Sequence, residues 1–281
     1  MSLAGPRRES DPVPAIREAD ATGEVAAIFA DIRAVFGVGV VNLIWRHLAV
    51  FPGGLEWAWG SLRPLYVAGH MPAAAARLRA RLPLPSLPEI PREALEAAGV
   101  PEAALGSIHA ILAAYDRTNP MALVALTLLQ ESQRPGFAPG APPALVAMPV
   151  AESVPLPPLP DLASLAPSTA ALVLRLNAIG AGGQPILASM YRHLGYWPGY
   201  LALAWAVLAP LDARAIIAAG QAAARAEASS LGGLLPPQPP APPGVLPALE
   251  AFTSDAIGRM VPLCAILRGL TPGLRTACGS P

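Results

Sequence analysis

Residues 42–65 read NLIWRHLAVFPGGLEWAWGSLRPL and residues 188–211 read ASMYRHLGYWPGYLALAWAVLAPL, an ungapped match at a constant offset of 146. Arg46-His47-Leu48 falls on Arg192-His193-Leu194, Pro52-Gly53 on Pro198-Gly199, and Ala58-Trp59 on Ala204-Trp205. Agreement that includes Trp, His and Pro is not a chance event. A chain that carries one segment twice is expected to fold as two copies of one module, here covalently joined as a pseudo-dimer about an approximate two-fold axis.

The apolar periodicity inside the modules is helical, so the expected fold class is all-α, two homologous helical modules with a cleft between them. From Thr22 the chain reads TGEVAAIFADIRAVFG, with Val25, Ile28, Phe29, Ile32, Val35 and Phe36 on one stripe. Thr22 stands at an N-cap position and Gly37 where a left-handed C-terminal residue belongs. Further helices are predicted over 38–51, 52–66 and 72–82, and Asn119-Pro120 reads as N-cap and first helical residue of a helix ending near Arg134. Apolar and polar residues nowhere alternate long enough to define a strand.

Proline marks the divisions: an N-terminal tail over 1–21, the first repeat over 22–134, a proline-rich connector over 135–166 and the second repeat over 167–281. The connector is expected to run extended around the outside of both halves, since proline lacks the amide donor that a helix or central strand needs. Gly195 to Leu211 is free of charge, but prolines 198 and 210 interrupt it and a membrane span needs ~20 residues. It is read as a buried helix.

Composition removes several chemistries. The formal net charge is zero and 14% of residues are charged, which argues against a nucleic-acid partner. All 19 basic residues are arginine, so lysine-dependent Schiff-base, P-loop and pyridoxal phosphate chemistry is excluded. Cys264 and Cys278 belong to no metal or dithiol pattern, and no cofactor or metal is expected. The N-terminus has no apolar core of a secretory signal, which gives a cytoplasmic expectation. Partners are expected to be a small molecule, with homo-oligomerisation open and no membrane role.

The succession TGEVAAIFADIR, WRHLAVFPGGLEWAW, AAYDRTNPMALVALTLLQES, proline-rich connector and YRHLGYWPGYLALAWAVLAP resembles the DehI family of group I 2-haloacid dehalogenases, over residues 18 to 270. Its markers are the F-P-G-x-L segment after the second helix, Asn119-Pro120 and Trp197-Pro198. The resemblance implies two similar all-α halves with the active site between them. It also implies attack of an activated water on the α-carbon of a 2-haloalkanoic acid, with inversion and no covalent intermediate, on either enantiomer. By the same resemblance the water-activating aspartate lies eight residues before the proline of the second-half W-P pair, preceded by a serine. Counting back from Pro198, those positions hold Met190 and Ser189. A thioether takes no proton near neutral pH, so the family's base is missing.

The resemblance further places Val40 and Leu43 where the family lines its pocket with Trp and Phe, and it matches Asn119 to an asparagine that helps place substrate or water. The expected binding set is therefore Val40, Leu43, Asn119, Ser189 and Met190, with the catalytic residue unknown. Asn119 also fits a plain helix cap, and Ser189 a hydroxyl bonded to its own backbone. His47 and His193 recur in both halves, which favours a structural role. His193, three residues after Met190 and titrating near neutrality when unperturbed, is the candidate replacement base. Trp59 and Trp205 are expected as core anchors.

Overall fold

The helix predicted from Thr22 forms as α1 (Gly23–Phe36), and Gly37 ends it with φ 61° and ψ 46°, its N–H bonded to the Arg33 carbonyl. Thr22 takes the extended N-cap conformation without a side-chain capping bond. In the computed structural model, which describes residues 13–138, 140–144, 155–183 and 186–273, every regular element is helical. After α1 come α2 (Leu43–Leu48), α3 (Gly54–Val67), α4 (His70–Ala80), α5 (Arg92–Ala97) and the long α6 (Leu105–Ser132). The second half gives α7 (Pro167–Asn177), α8 (Ser189–His193), α9 (Pro198–Leu208), α10 (Ala213–Leu231), α11 (Val245–Ala251) and α12 (Ile257–Leu270), with a π-helical turn over Phe252–Ala256.

Two expectations fail locally. The helix predicted over 38–51 is confined to Leu43–Leu48, because the Val41 N–H is taken by Glu18 Oε1 at 2.7 Å and the Gly37 carbonyl by Arg117 Nη2 at 3.0 Å. Glycines 37 and 39 also disfavour helix there. The second failure is Asn119-Pro120, which does not begin a helix but lies inside α6. Pro120 removes the amide that would bond the Asp116 carbonyl, and Arg79 Nη1 donates to that carbonyl at 3.0 Å instead. With its orphaned acceptor satisfied, the helix continues for 28 residues, about 42 Å at 1.5 Å per residue.

That length lets α6 serve two cores. One cluster gathers Phe29, Trp45, Leu55 and Leu78 of the first half with Leu123 and Leu126 of α6 and Leu231 and Leu249 of the second half. The other gathers Val173, Tyr191, Leu201 and Leu263 of the second half with Leu95 of α5 and Ile108 and Leu112 at the start of α6. Each core thus draws on both halves of the sequence. Buried carboxylates tie the same joints: Glu227 of α10, 2% exposed, accepts from Arg77 Nε at 2.8 Å and Arg81 Nη1 at 2.5 Å. Asp116 of α6 is buried between Arg268 of α12 and Arg79 of α4.

Close approach sets one glycine of the repeat. A Cβ on Gly199 would come within 1.9 Å of the Ala98 carbonyl oxygen, so only glycine lets α9 start against the end of α5. Of the proline-rich connector, residues 139 and 145–154 lie outside the described residues. Its residues 155–161 have no helix or strand, a 3-10 turn follows over Leu162–Ser164, and side chains of the second half meet its carbonyls: Arg192 Nε donates to Pro160 at 2.9 Å and Tyr196 to Pro158 at 2.7 Å. The prolines offer no amides, but their carbonyls still need donors.

Among the described residues no single helix is long and apolar enough to cross a membrane; α9 and the helix after it satisfy the criterion only jointly, bent by 89°. α9 is buried on one face only, through Tyr200, Leu201, Ala204 and Leu208, where the sequence predicts burial throughout. Trp205 is 37% exposed, whereas its repeat partner Trp59 is 3% exposed and donates to Asp31 at 2.7 Å.

Candidate functional site

The short helix α8 carries Ser189, Met190 and His193, and its entry is fixed by a buried polar cluster. Asn177 at the end of α7 accepts the Ala188 N–H at 2.9 Å and donates to the Ile186 carbonyl at 3.3 Å. Asp255, in the π-helical turn, accepts the Ile186 N–H at 2.8 Å. Arg259, 1% exposed, joins the two, donating to Asp255 at 2.7 Å and to the Asn177 carbonyl at 2.6 Å. A buried guanidinium is tolerated only when paired and hydrogen-bonded in this way. The cluster therefore sets where α8 begins.

His193 is 7% exposed, and both ring nitrogens are engaged. The Pro157 carbonyl at 3.1 Å can only accept, so Nε2 carries the proton. Nδ1 then accepts from the Tyr115 hydroxyl at 2.7 Å. Burial pushes the imidazole down to about 4, with the adjacent Arg192 charge adding to the effect against the Pro157 bond. His193 is neutral at pH 7. Burial also holds the Tyr115 phenol far above its ordinary range, while Ser189 lies close enough to act on it through a hydrogen bond.

Tyr115 thus brings Ser189 and His193 together against α6. Asn119 follows Tyr115 by one helical turn on the same face, 7% exposed, and its carboxamide has no hydrogen-bond partner among the described residues. Between them Thr118 meets Asn42, at the start of α2, at 3.5 Å. Met190 is 1% exposed and belongs to the second apolar core with Tyr191 and Leu194. Leu43 is partly buried against the first core, and Val40 is 66% exposed on the loop before α2. The structure places Met190 and Asn119 inside, Ser189 at the edge and Val40 in solvent.

His47 is held differently. Its Nδ1 bonds the Pro14 carbonyl at 2.5 Å and its ring packs on Phe51 and Phe252 at 5.1 and 5.7 Å. The thiol of Cys264 is buried, pushed up by that burial, and donates to the Leu112 carbonyl at 3.4 Å. Cys278 lies outside the described residues. Among the described residues no three His, Cys, Asp or Glu side chains converge on a metal position.

No family model matches the sequence. Over 126 residues it is 32% identical to a configuration-inverting 2-haloacid dehalogenase of Alcaligenes xylosoxydans xylosoxydans, spanning 43% of this chain and 41% of that one. Over 111 residues it is 29% identical to an (R)-2-haloacid dehalogenase of Pseudomonas putida, spanning 37% of each. The matched regions thus cover well under half the length of these relatives. The fold extends the likeness: a D-2-haloacid dehalogenase variant in complex with D-2-CPA aligns with 92% of this chain and 94% of its own, at 20% identity and TM-score 0.67. The chain thus shares its fold with D-2-haloacid dehalogenases and is similar in sequence to 2-haloacid dehalogenases over part of its length. A D-2-haloacid dehalogenase in complex with L-LA, 22% identical, aligns over 92% of both chains with TM-score 0.66.

In this chain the sequence pointed to Ser189, Met190, His193 and Asn119, but not to what arranges them. Tyr115, Asn177, Asp255 and Arg259 carry that task. The Asp255 to Arg259 spacing of four residues was the one visible signal, since it puts both charges on one helical face.

Proposed function

We propose that this DehI-like protein holds a short 2-substituted carboxylic acid between its two repeats and does not hydrolyse 2-haloacids at the rate of its relatives. The halves form a pseudo-dimer in this reading. What supports it is a crossed pair of contacts, Tyr115 of the first half on His193 of the second and Phe252 of the second half on His47 of the first.

Met190 carries the reading. At the position that the resemblance gives to the water-activating aspartate stands a thioether, 1% exposed in an apolar core, which accepts no proton near pH 7. His193, the candidate replacement base, spends one nitrogen on Tyr115 and the other on Pro157. A positioned base contributes ~10² to 10⁴-fold to such a reaction. Binding keeps its means: the Asn119 carboxamide, without a partner among the described residues, offers two N–H donors to a carboxylate, and Ser189 a hydroxyl. The protein then acts as a non-catalytic ligand binder on a dehalogenase fold.

The test is halide release from both enantiomers of 2-chloropropionate, run beside thermal shifts with 2-chloropropionate and lactate. Halide release at background, with a ligand-dependent rise in Tm that Asn119→Ala removes, is the expected result. Release that His193→Ala abolishes would make His193 the base and overturn the loss of catalysis. Release that survives both Ser189→Ala and His193→Ala would refute this placement of the site.

A further inference from the structure

Away from the residues around Tyr115, a pocket of about 400 Å³ opens where the C-terminal ends of α7 and α9 meet the first turn of α10. It shares no residue with the set around Tyr115. Its lining mixes the apolar Ala178, Ile179, Ala209 and Leu211 with the charged Arg175, Asp212 and Arg214.

Like Arg225, these arginines lack the partner that most of the described arginines have. Arg33, Arg63, Arg77, Arg81, Arg92 and Arg259 each pair with a carboxylate. Arg175 and Arg214 have no side-chain hydrogen bond or ion pair among the described residues. One carboxylate, Asp212, lines the same pocket and accepts the Ala215 N–H of the α10 backbone at 3.2 Å. Two positive charges therefore border one concavity against a single negative charge, that of Asp212.

Two large apolar side chains stand exposed one turn from the pocket lining. One turn before Ala178 on α7 lies Leu174, 50% exposed, and one turn before Ala209 on α9 lies Trp205, 37% exposed. The two helices pack on each other. α9 carries no charged residue at all, although much of its outer face meets solvent. An apolar patch beside a charged pocket suits an amphipathic ligand.

We propose that this pocket binds a free carboxylic acid with an apolar tail, its carboxylate on Arg175 and Arg214 and its tail along Leu174 and Trp205. Guanidinium forks suit a carboxylate by geometry and charge. An indole face suits an alkyl chain. The site is separate from the residues around Tyr115 and does not depend on the reading of Met190.

Octanoate is the probe, titrated by calorimetry into the full chain, with acetate and 1-octanol as controls that lack the tail or the charge. Saturable octanoate binding is expected, weaker by about tenfold or more in the double variant Arg175→Gln, Arg214→Gln and in Trp205→Ala, and unchanged in Asn119→Ala. Arg175, Arg214 and Trp205 stand on the surface, so replacing them leaves the cores intact. The fold of Asn119→Ala is checked by circular dichroism. Absence of octanoate binding, equal binding of 1-octanol, or binding untouched by the double variant overturns the proposal. Binding lost in Asn119→Ala but kept in the double variant assigns the acid to the cleft and overturns it equally.

Discussion

The Tyr115 hydroxyl donates to His193 Nδ1 at 2.7 Å, linking the long helix of the first half to the short helix that carries Met190 in the second. His193 is buried and Tyr115 partly so, and each satisfies a polar atom of the other. The bond also decides the chemistry of His193. With Nδ1 accepting and Nε2 donating, the neutral ring has no lone pair left for a water.

Tyr115→Phe removes the donor and leaves a buried nitrogen without a partner, at a cost of about 1–3 kcal/mol. Urea denaturation should show a lower midpoint with an unchanged slope. A midpoint equal to the parent's would mean that the ring nitrogen finds water in the folded protein.

The pH dependence has a definite sign. The folded state holds His193 at about 4, below the 6.5 of an unperturbed imidazole, so the unfolded chain binds the extra proton. The stability linked to this group is full above pH 6.5 and is lost as the pH falls toward 4, on the order of 3 kcal/mol in all. His193→Gln should flatten that part of the profile between pH 6.5 and 4.5. Parallel profiles for parent and variant would contradict the burial of the ring.

Two glycines should respond with opposite signs. Gly199→Ala forces a methyl to 1.9 Å from the Ala98 carbonyl oxygen and must displace backbone, which places it among substitutions costing about 4 kcal/mol or more. Gly60→Ala meets nothing within 4 Å inside α3, and should stabilise by about 0.5–1 kcal/mol. Thermal denaturation of both variants checks the ordering.

Because each core uses both halves, neither half should fold alone. Fragments 1–144 and 145–281 are expected to lack cooperative unfolding separately and to regain it when mixed, as read by circular dichroism. A fragment with its own sharp melting transition would show that one core can close without the other half.

Met190→Asp places a carboxylate in an apolar core with no partner beside it. The variant should lose several kcal/mol. Burial raises such a carboxyl's pKa, so the loss should deepen from pH 5 to pH 8 as the group is forced to ionise. A variant as stable at pH 8 as at pH 5 would mean that Met190 borders water, and halide release by that variant would show that the cleft still accepts a haloacid.

By itself the sequence determined the helical class, the duplicated segment, the end of α1 at Gly37 and the absence of an acidic residue at position 190. These follow from local rules: apolar spacing, the left-handed freedom of glycine and the identity of a side chain. It misjudged Asn119-Pro120, since Arg79, 37 residues before Asp116 in the chain, takes the carbonyl that Pro120 leaves open. The same limit hid the exposure of Trp205, because a repeat fixes the equivalent place in a module and not what packs over it. Only the tertiary structure decided that His193 is neutral and doubly bonded, that α8 is pinned by Asn177, Asp255 and Arg259, and that each core is shared between halves. Those depend on groups distant in the chain meeting away from water, where an unmet hydrogen bond or charge costs enough to select one arrangement.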